Sequence, residues 1–300
     1  MAETRTDVSI RPLEEGDLPE ADRIMRVAFG TFLGLPDPSG SIGDADYVGT
    51  RWLADPSAAF GAFVGDELVG SNFATNWGSV GLFGPLTIRP DLWNRGVGTH
   101  LMEPIMECFA RWGTEHAGLF TFAHSPGHIH LYEKFGFWAG HLTAVMSKPV
   151  AEKGPPAWQW ARFSELPEGD RAAILDACRE LTESVYEGLD LEREIRAVEA
   201  QGLGDTVLVW EDARLGGLAV CHWGGGHRGG KRRVLHQVRG CPAGLRGGRE
   251  FRKPAGYLRS AGHYARRATP HRWGEHGPPR GVSCPAHARF SHRSTSRCDA

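Results

Sequence analysis

Between residues 84 and 102 the chain reads GPLTIRPDLWNRGVGTHLM, a short apolar run that stops at Pro90, followed by a glycine-bearing turn that opens an amphipathic stretch. This is the local design of a phosphate grip. Gly96 and Gly98 remove side chains where the backbone must approach a ligand, and a helix beginning near Gly98 points its first N–H groups and positive dipole end at the turn. The chemistry expected is the binding of an anionic cofactor. A nicotinamide dinucleotide does not fit, because the first glycine of its fingerprint is missing and no acidic residue stands where the ribose would need one.

Titratable groups gather again a short way downstream, in AGLFTFAHSPGHIHLYEKFGFW, where His124, His128, His130 and Tyr132 lie close together. An imidazole can take a proton at neutral pH and a phenol can give one. The elements expected to carry them are a strand over 119–123, a break over 125–127, a short helix over about 128–134 and a new strand near Phe137. Leu82, Phe83, Leu86 and Ile88 predict a strand before the phosphate turn, and Leu101, Ile105, Cys108 and Phe109 predict a helix after it.

Taken in order, these two motifs resemble the GCN5-related N-acetyltransferase (GNAT) family. The resemblance implies an α/β fold, a mixed central sheet flanked by helices, with acetyl-CoA as co-substrate. It implies that Leu86, Thr87 and Ile88 contact the pantetheine arm through their backbone. Trp93, Asn94, Arg95, Gly96, Val97, Gly98 and Thr99 would wrap the pyrophosphate, and Ser125 and His128 would touch the pantetheine. Tyr132 matches the tyrosine that donates a proton to the departing thiolate. Trp93 stands where the family usually has Gln or Arg, and Ser125 and His128 where it has Asn and Ala; Arg95 could restore charge to the turn. The family has no fixed base. His124 is the first choice on its place at a strand end, with His130 as the alternative, and no metal is expected.

The upstream sequence predicts the elements that must hold this site. Residues 8–11 read as a strand, Asp17 as the N-cap of a helix with an apolar face through Ala21, Ile24 and Val27, residues 44–55 as a second helix, and residues 58–77 as a hairpin around Gly65 and Asp66. One acetyl-CoA-binding domain is thus expected over 1–150, bounded by the glycine and double proline of KPVAEKGPPAWQW. The following stretch repeats the opening layout, and the echo of LEEGDLPEADRIM in SELPEGDRAAILD predicts a partial second acetyltransferase-like domain over 156–223. It has no second pyrophosphate turn, which suits a structural or substrate-shaping role.

Charge divides the chain. Residues 1–221 hold 17 Lys plus Arg against 33 acidic residues, whereas residues 222–300 hold 17 against 3, so the net charge of −2 conceals an acidic body and a basic tail. The tail is rich in Gly, Arg, His and Pro and has no sustained period, so 224–300 is expected to be disordered. Clustered Arg would suit nucleic acid, but Cys241, Cys284 and Cys298 lack paired zinc spacing. The preferred reading is loss of the frame near Gly224, where the repeated domain should supply its fourth strand.

The sequence contains no signal-peptide or membrane-span pattern, and six cysteines without a framework suit a reducing cytoplasm. The expected function is transfer of an acetyl group from acetyl-CoA to a primary amine by direct attack. The alternative is a non-catalytic acyl-CoA-binding protein. Partners expected are a small-molecule amine and a second copy of the chain, with neither membrane nor nucleic acid. Trp52, Trp77, Trp93 and Trp138 are available to line an acceptor pocket or to pack.

Overall fold

The computed structural model describes residues 7–140, 159–211, 213–223 and, as backbone, 235–240. The strand that LTAVMSKPV predicts over 142–150 and the boundary around 151–158 lie outside the described residues, as does most of the tail.

The first half opens with β1 (Ser9–Pro12) and α1 (Leu18–Phe32), then α2 (Val48–Ala54) and the hairpin β2 (Ala59–Val64) and β3 (Glu67–Trp77). Gly65 closes that hairpin at φ +59°, a left-handed conformation that suits glycine. The strand expected before the phosphate turn is two pieces, β4 (Val80–Phe83) and β5 (Thr87–Ile88), both laid antiparallel on the long β3. After the turn come α3 (Val97–Trp112), β6 (His116–Gly118) and α4 (Pro126–Glu133).

These strands form one mixed sheet in the order β1-β2-β3-β4-β6, with β5 beside β3. All neighbours are antiparallel except β4 and β6, which run parallel from Val80 opposite His116 to Leu82 opposite Gly118. Period-2 alternation sends side chains of β2 and β3 to both faces. Ala59, Phe63, Leu68 and Phe73 pack with Ala21, Ile24 and Met25 of α1 and Val48 of α2. Ala62 and Val69 pack with Val97 and Leu101 of α3. Ala74 and Phe83 meet Met102, Ile105 and Phe109 farther along α3. Inside the α3 face, the Asn72 amide donates to the Leu101 carbonyl at 3.3 Å, which satisfies a buried polar group.

Two expectations change here. Asp17 precedes α1 but does not cap it with its side chain; its carboxylate accepts from the Glu14 N–H at 2.8 Å and pairs with Arg11 at 2.7 Å. The strand expected over 119–123 is found at His116–Gly118, and among the described residues neither 119–125 nor 137–140 pairs in a ladder. His124 is therefore on an irregular segment and not at a strand end.

The second half contains β7 (Gln159–Arg162), α5 (Glu168–Glu183), α6 (Glu192–Ala200), β8 (Gly204–Glu211) and β9 (Arg214–His222). A further strand, β10 (Leu235–Gly240), pairs antiparallel with β9, so the sheet has the order β10-β9-β8-β7. A fourth strand thus exists beyond Cys221, inside the stretch expected to be irregular.

The halves are joined by more than a linker. The β3–β4 turn enters the second core: Trp77 is buried among Phe163, Leu175, Leu191 and Ile195. The Ser79 N–H donates to the Gly188 carbonyl at 2.8 Å and the Asp190 N–H to the Trp77 carbonyl at 3.1 Å. Gly78 sits at φ +70°, and a Cβ there would lie 2.2 Å from the Gly188 oxygen, so two constraints require glycine. Among the described residues no helix is long and apolar enough to cross a membrane.

Candidate active site

The site is built where the parallel strand pair ends. β4 and β6 share a ladder as far as Leu82 and Gly118; beyond that β5 pairs with β3, and among the described residues no pairing joins 119–124 to it.

The pantetheine candidates lie on and beside β5. Leu86 and Ile88 are half-buried, and Thr87 is buried with its hydroxyl 3.3 Å from that of Ser71. The phosphate-turn candidates follow. The Trp93 indole N–H donates to the Ile88 carbonyl at 2.7 Å, tying the turn back onto the strand. Asn94 at φ +62° and Gly96 at φ +85° are both left-handed, and with Arg95 they stand exposed at the head of α3. Gly96 caps α3 without a side-chain hydrogen bond, so the helix offers its first N–H groups outward. Val97 is buried and Thr99 half-buried, the Thr99 N–H turning back to the Gly96 carbonyl at 2.9 Å.

The two glycines act differently from the expectation that both admit a ligand. Gly96 supplies backbone conformation, with open space around it. Gly98 is buried in helical geometry, and a Cβ there would sit 3.1 Å from both Ile88 Cδ1 and Leu131 Cδ2. Its role is to let α3, β5 and α4 approach.

The helix α4 carries Ser125 at its N-cap, then His128 and Tyr132. Tyr132 lies edge-on to Phe83 with ring centroids 5.7 Å apart. Burial pushes its phenol up to about 12, with a hydrogen bond involving Thr121 opposing the rise. The group is therefore a neutral donor across physiological pH. Ser125 makes no side-chain cap bond and is half-buried.

His124 is exposed and stacked on Phe32 of α1, with centroids 5.5 Å apart and planes at 21°. His128 meets the same ring at 5.1 Å. Burial, reinforced by the charge of His124, holds the His128 imidazole below its ordinary range. His130 is exposed.

Phe32, Phe122 and Thr121 belong to this cluster, and sequence reasoning did not single them out. Phe29 and Phe32 continue the apolar face of α1, a pattern that reads equally well as core. The tryptophans do not line one pocket. Trp77 is in the second-half core, Trp52 donates to the Leu13 carbonyl at 2.9 Å, Trp93 secures the turn and Trp138 is exposed.

Residues 28–137 match the family model described as the acetyltransferase (GNAT) family. The matched span runs from the end of α1 to just past α4 and contains the whole cluster just described. This part of the chain has the α/β GNAT fold, a mixed central sheet with flanking helices. A comparison with curated proteins gives no match. Among solved structures, an acetyltransferase-like protein of Pyrococcus horikoshii is similar at 18% identity over 71% of each chain, with a TM-score of 0.48. A GCN5-related N-acetyltransferase of Kribbella flavida is similar at 18% identity over 80% of this chain and 59% of its own, with a TM-score of 0.45. The PaiA N-acetyltransferase of Thermoplasma acidophilum, solved with coenzyme A, is similar at 15% identity over 43% of this chain and 88% of its own, with a TM-score of 0.36.

Proposed function

We propose that the chain transfers an acetyl group from acetyl-CoA to a primary amine by direct attack. The observation that carries this reading is the packing of two elements: an uncapped helix N-terminus with a left-handed glycine turn, and α4, which meets Gly98 through Leu131 and carries the half-buried, neutral Tyr132. The turn suits a pyrophosphate, and β5, which pairs with β3 alone among the described residues, suits an extended amide-bearing arm. The smaller second sheet is proposed to be a partial domain of the same type, acting as a structural partner over 156–223.

In this reading the amine attacks the thioester carbonyl directly, so the largest contribution the protein makes is to hold the two reactants together. Backbone N–H groups near Leu86 would stabilise the oxyanion, and donors fixed before the reaction need no reorganisation during it. Tyr132 faces the departing sulfur. Full transfer from a phenol at about 12 to a thiolate of ordinary value near 8.5 is uphill by about 5 kcal/mol. The phenol therefore acts first as a hydrogen-bond donor to the sulfur, with the proton following as the products relax. Either His124 or His130 would serve as base on sequence grounds, and the cytoplasm is the proposed compartment.

Titration calorimetry of acetyl-CoA into the full chain, followed by product analysis with a panel of amines, tests the proposal. Micromolar binding with amide product supports it. Binding with no product from any amine favours a non-catalytic acyl-CoA-binding protein, and absence of binding removes both readings.

A further inference from the structure

We propose that Ser79 and Tyr186 are positioning residues of the candidate active site: through them the second half fixes the root of the β4–β6 ladder and, with it, the placement of Tyr132. This rests on the acetyltransferase reading and gives the second half a definite task within it.

Every polar group of Ser79 is engaged at this junction. Its N–H donates to the Gly188 carbonyl at 2.8 Å and its hydroxyl to the Glu187 carbonyl at 2.5 Å, both on the loop between α5 and α6. Its carbonyl accepts from the Glu115 and His116 N–H groups at 2.8 and 3.0 Å, where β6 begins. His116 sets its imidazole against the Tyr186 ring, with centroids 4.4 Å apart and planes at 83°. An edge-to-face pair of this kind prefers one mutual orientation. Gly188 stands at φ +71°, and a Cβ there would lie 2.8 Å from Ser79 Cβ, so the loop reaches Ser79 only because it carries glycine at this point.

The strand β6 needs such an anchor. It is three residues long and, among the described residues, pairs with β4 alone. Parallel pairing is slightly less stable per residue than antiparallel, so three pairs give a weak hold by themselves. The contacts from Ser79 and Tyr186 fall at the first pair, Val80 with His116. Pairing ends two residues on, about 7 Å along the strand, at Leu82 with Gly118. Val80 and Leu82 also pack on the second-half core, so both strands of the ladder are held from the same direction.

Tyr132 is held by a residue from each of these strands' continuations. Phe83, next after Leu82 on β4, meets the phenol ring edge-on with centroids 5.7 Å apart. Thr121, three residues past Gly118, shares a hydrogen bond with the phenol. Ala117 and Leu119 pack on the same cluster as Tyr132. A shift of β6 against β4 therefore moves one contact of Tyr132 relative to the other. The cofactor turn is attached elsewhere: β5 pairs with β3, and Trp93 ties the turn to Ile88. The clamp thus sets the proton donor and leaves the cofactor grip unchanged. Misplacement by about 1 Å is enough to lower a rate about 100-fold.

The test uses the full chain. Tyr186→Ala removes the ring that holds His116, and Tyr186→Phe restores a ring in its place. Tyr186→Ala is expected to lower kcat about 10- to 100-fold, measured with acetyl-CoA and the amine of the panel that gives most product, while calorimetry finds the dissociation constant for acetyl-CoA unchanged. Tyr186→Phe should match the wild type in both. Ser79→Ala deletes only the hydroxyl, should lower kcat by less, and serves where Tyr186→Ala does not fold. With isotopically labelled tyrosine, the Tyr132 ring resonance, identified as the one lost in Tyr132→Phe, should move in Tyr186→Ala and in Ser79→Ala and stay in place in Tyr186→Phe. That readout needs no turnover. Folded Tyr186→Ala or Ser79→Ala protein with wild-type kcat and an unmoved Tyr132 resonance overturns this inference alone. A wild type that binds no acetyl-CoA and acetylates nothing overturns the acetyltransferase reading, and the resonance comparison still decides whether Tyr186 positions Tyr132.

Discussion

The indole N–H of Trp77, at the end of β3, donates to the carboxylate of Glu194 on α6 at 3.3 Å, both side chains buried. Residues 117 apart in sequence therefore share one interior, and the turn that follows Trp77 is clasped by the second half through Ser79 and Asp190. A repeat visible in the sequence as two units is, at this edge, a single packed body.

Trp77→Ala removes the largest first-half side chain from the second-half core. Loss of a buried Trp in this way costs about 3–5 kcal/mol. Urea unfolding of the full chain should show one transition moved to lower denaturant by that amount; a shift under about 1 kcal/mol would mean that the halves are energetically independent.

Trp93→Phe keeps a ring on the phosphate turn but deletes the N–H that holds the Ile88 carbonyl. One hydrogen bond is worth about 1 kcal/mol net, so the dissociation constant for acetyl-CoA should rise about fivefold if the turn loosens with it. Calorimetry decides, and unchanged affinity would show that Trp93 braces the turn without tuning it.

Tyr132→Phe preserves the edge contact with Phe83 and removes the donor. A fall in kcat of about 100-fold, with binding of acetyl-CoA preserved, is expected. Turnover equal to wild type would restrict Tyr132 to packing.

Alkaline pH should destabilise the fold. Tyr132 is raised from an ordinary 10 to about 12 and Cys178 from 9 to about 12, both by burial. Each group binds its proton more tightly in the native state than in the unfolded one, so stability is intact below the unfolded value and falls as pH rises toward the folded value. For Tyr132 the two-unit rise corresponds to about 3 kcal/mol, lost between pH 10 and 12. Thermal melting across pH 8–12 should show the decline, and Cys178→Ala should remove its earlier part; a flat profile would contradict the burial of both groups.

Local signals made most of the elements legible in the sequence. The apolar periods of α1, α3, α5 and α6, the Gly65 hairpin and the glycine turn at Gly96 each need only neighbours a few residues away, and short-range sterics decide them. The short helix that carries Tyr132 was readable for the same reason. Three things were not. The strand expected at 119–123 gave way to His116–Gly118 because ladder pairing with β4, and not local β-propensity, fixes where a short strand can form. Gly98 looked like a ligand-facing glycine, but its neighbours Ile88 and Leu131 come from other elements. The joining of Phe32, His124 and His128 depends on the fold bringing α1, the loop after β6 and α4 together, a long-range packing event with no local period to announce it. The sequence by itself determined the elements and the glycine turn at the head of α3; tertiary packing decided which histidines meet the ring of Phe32, because contact between distant segments is set by how they pack and not by the order in which they are linked.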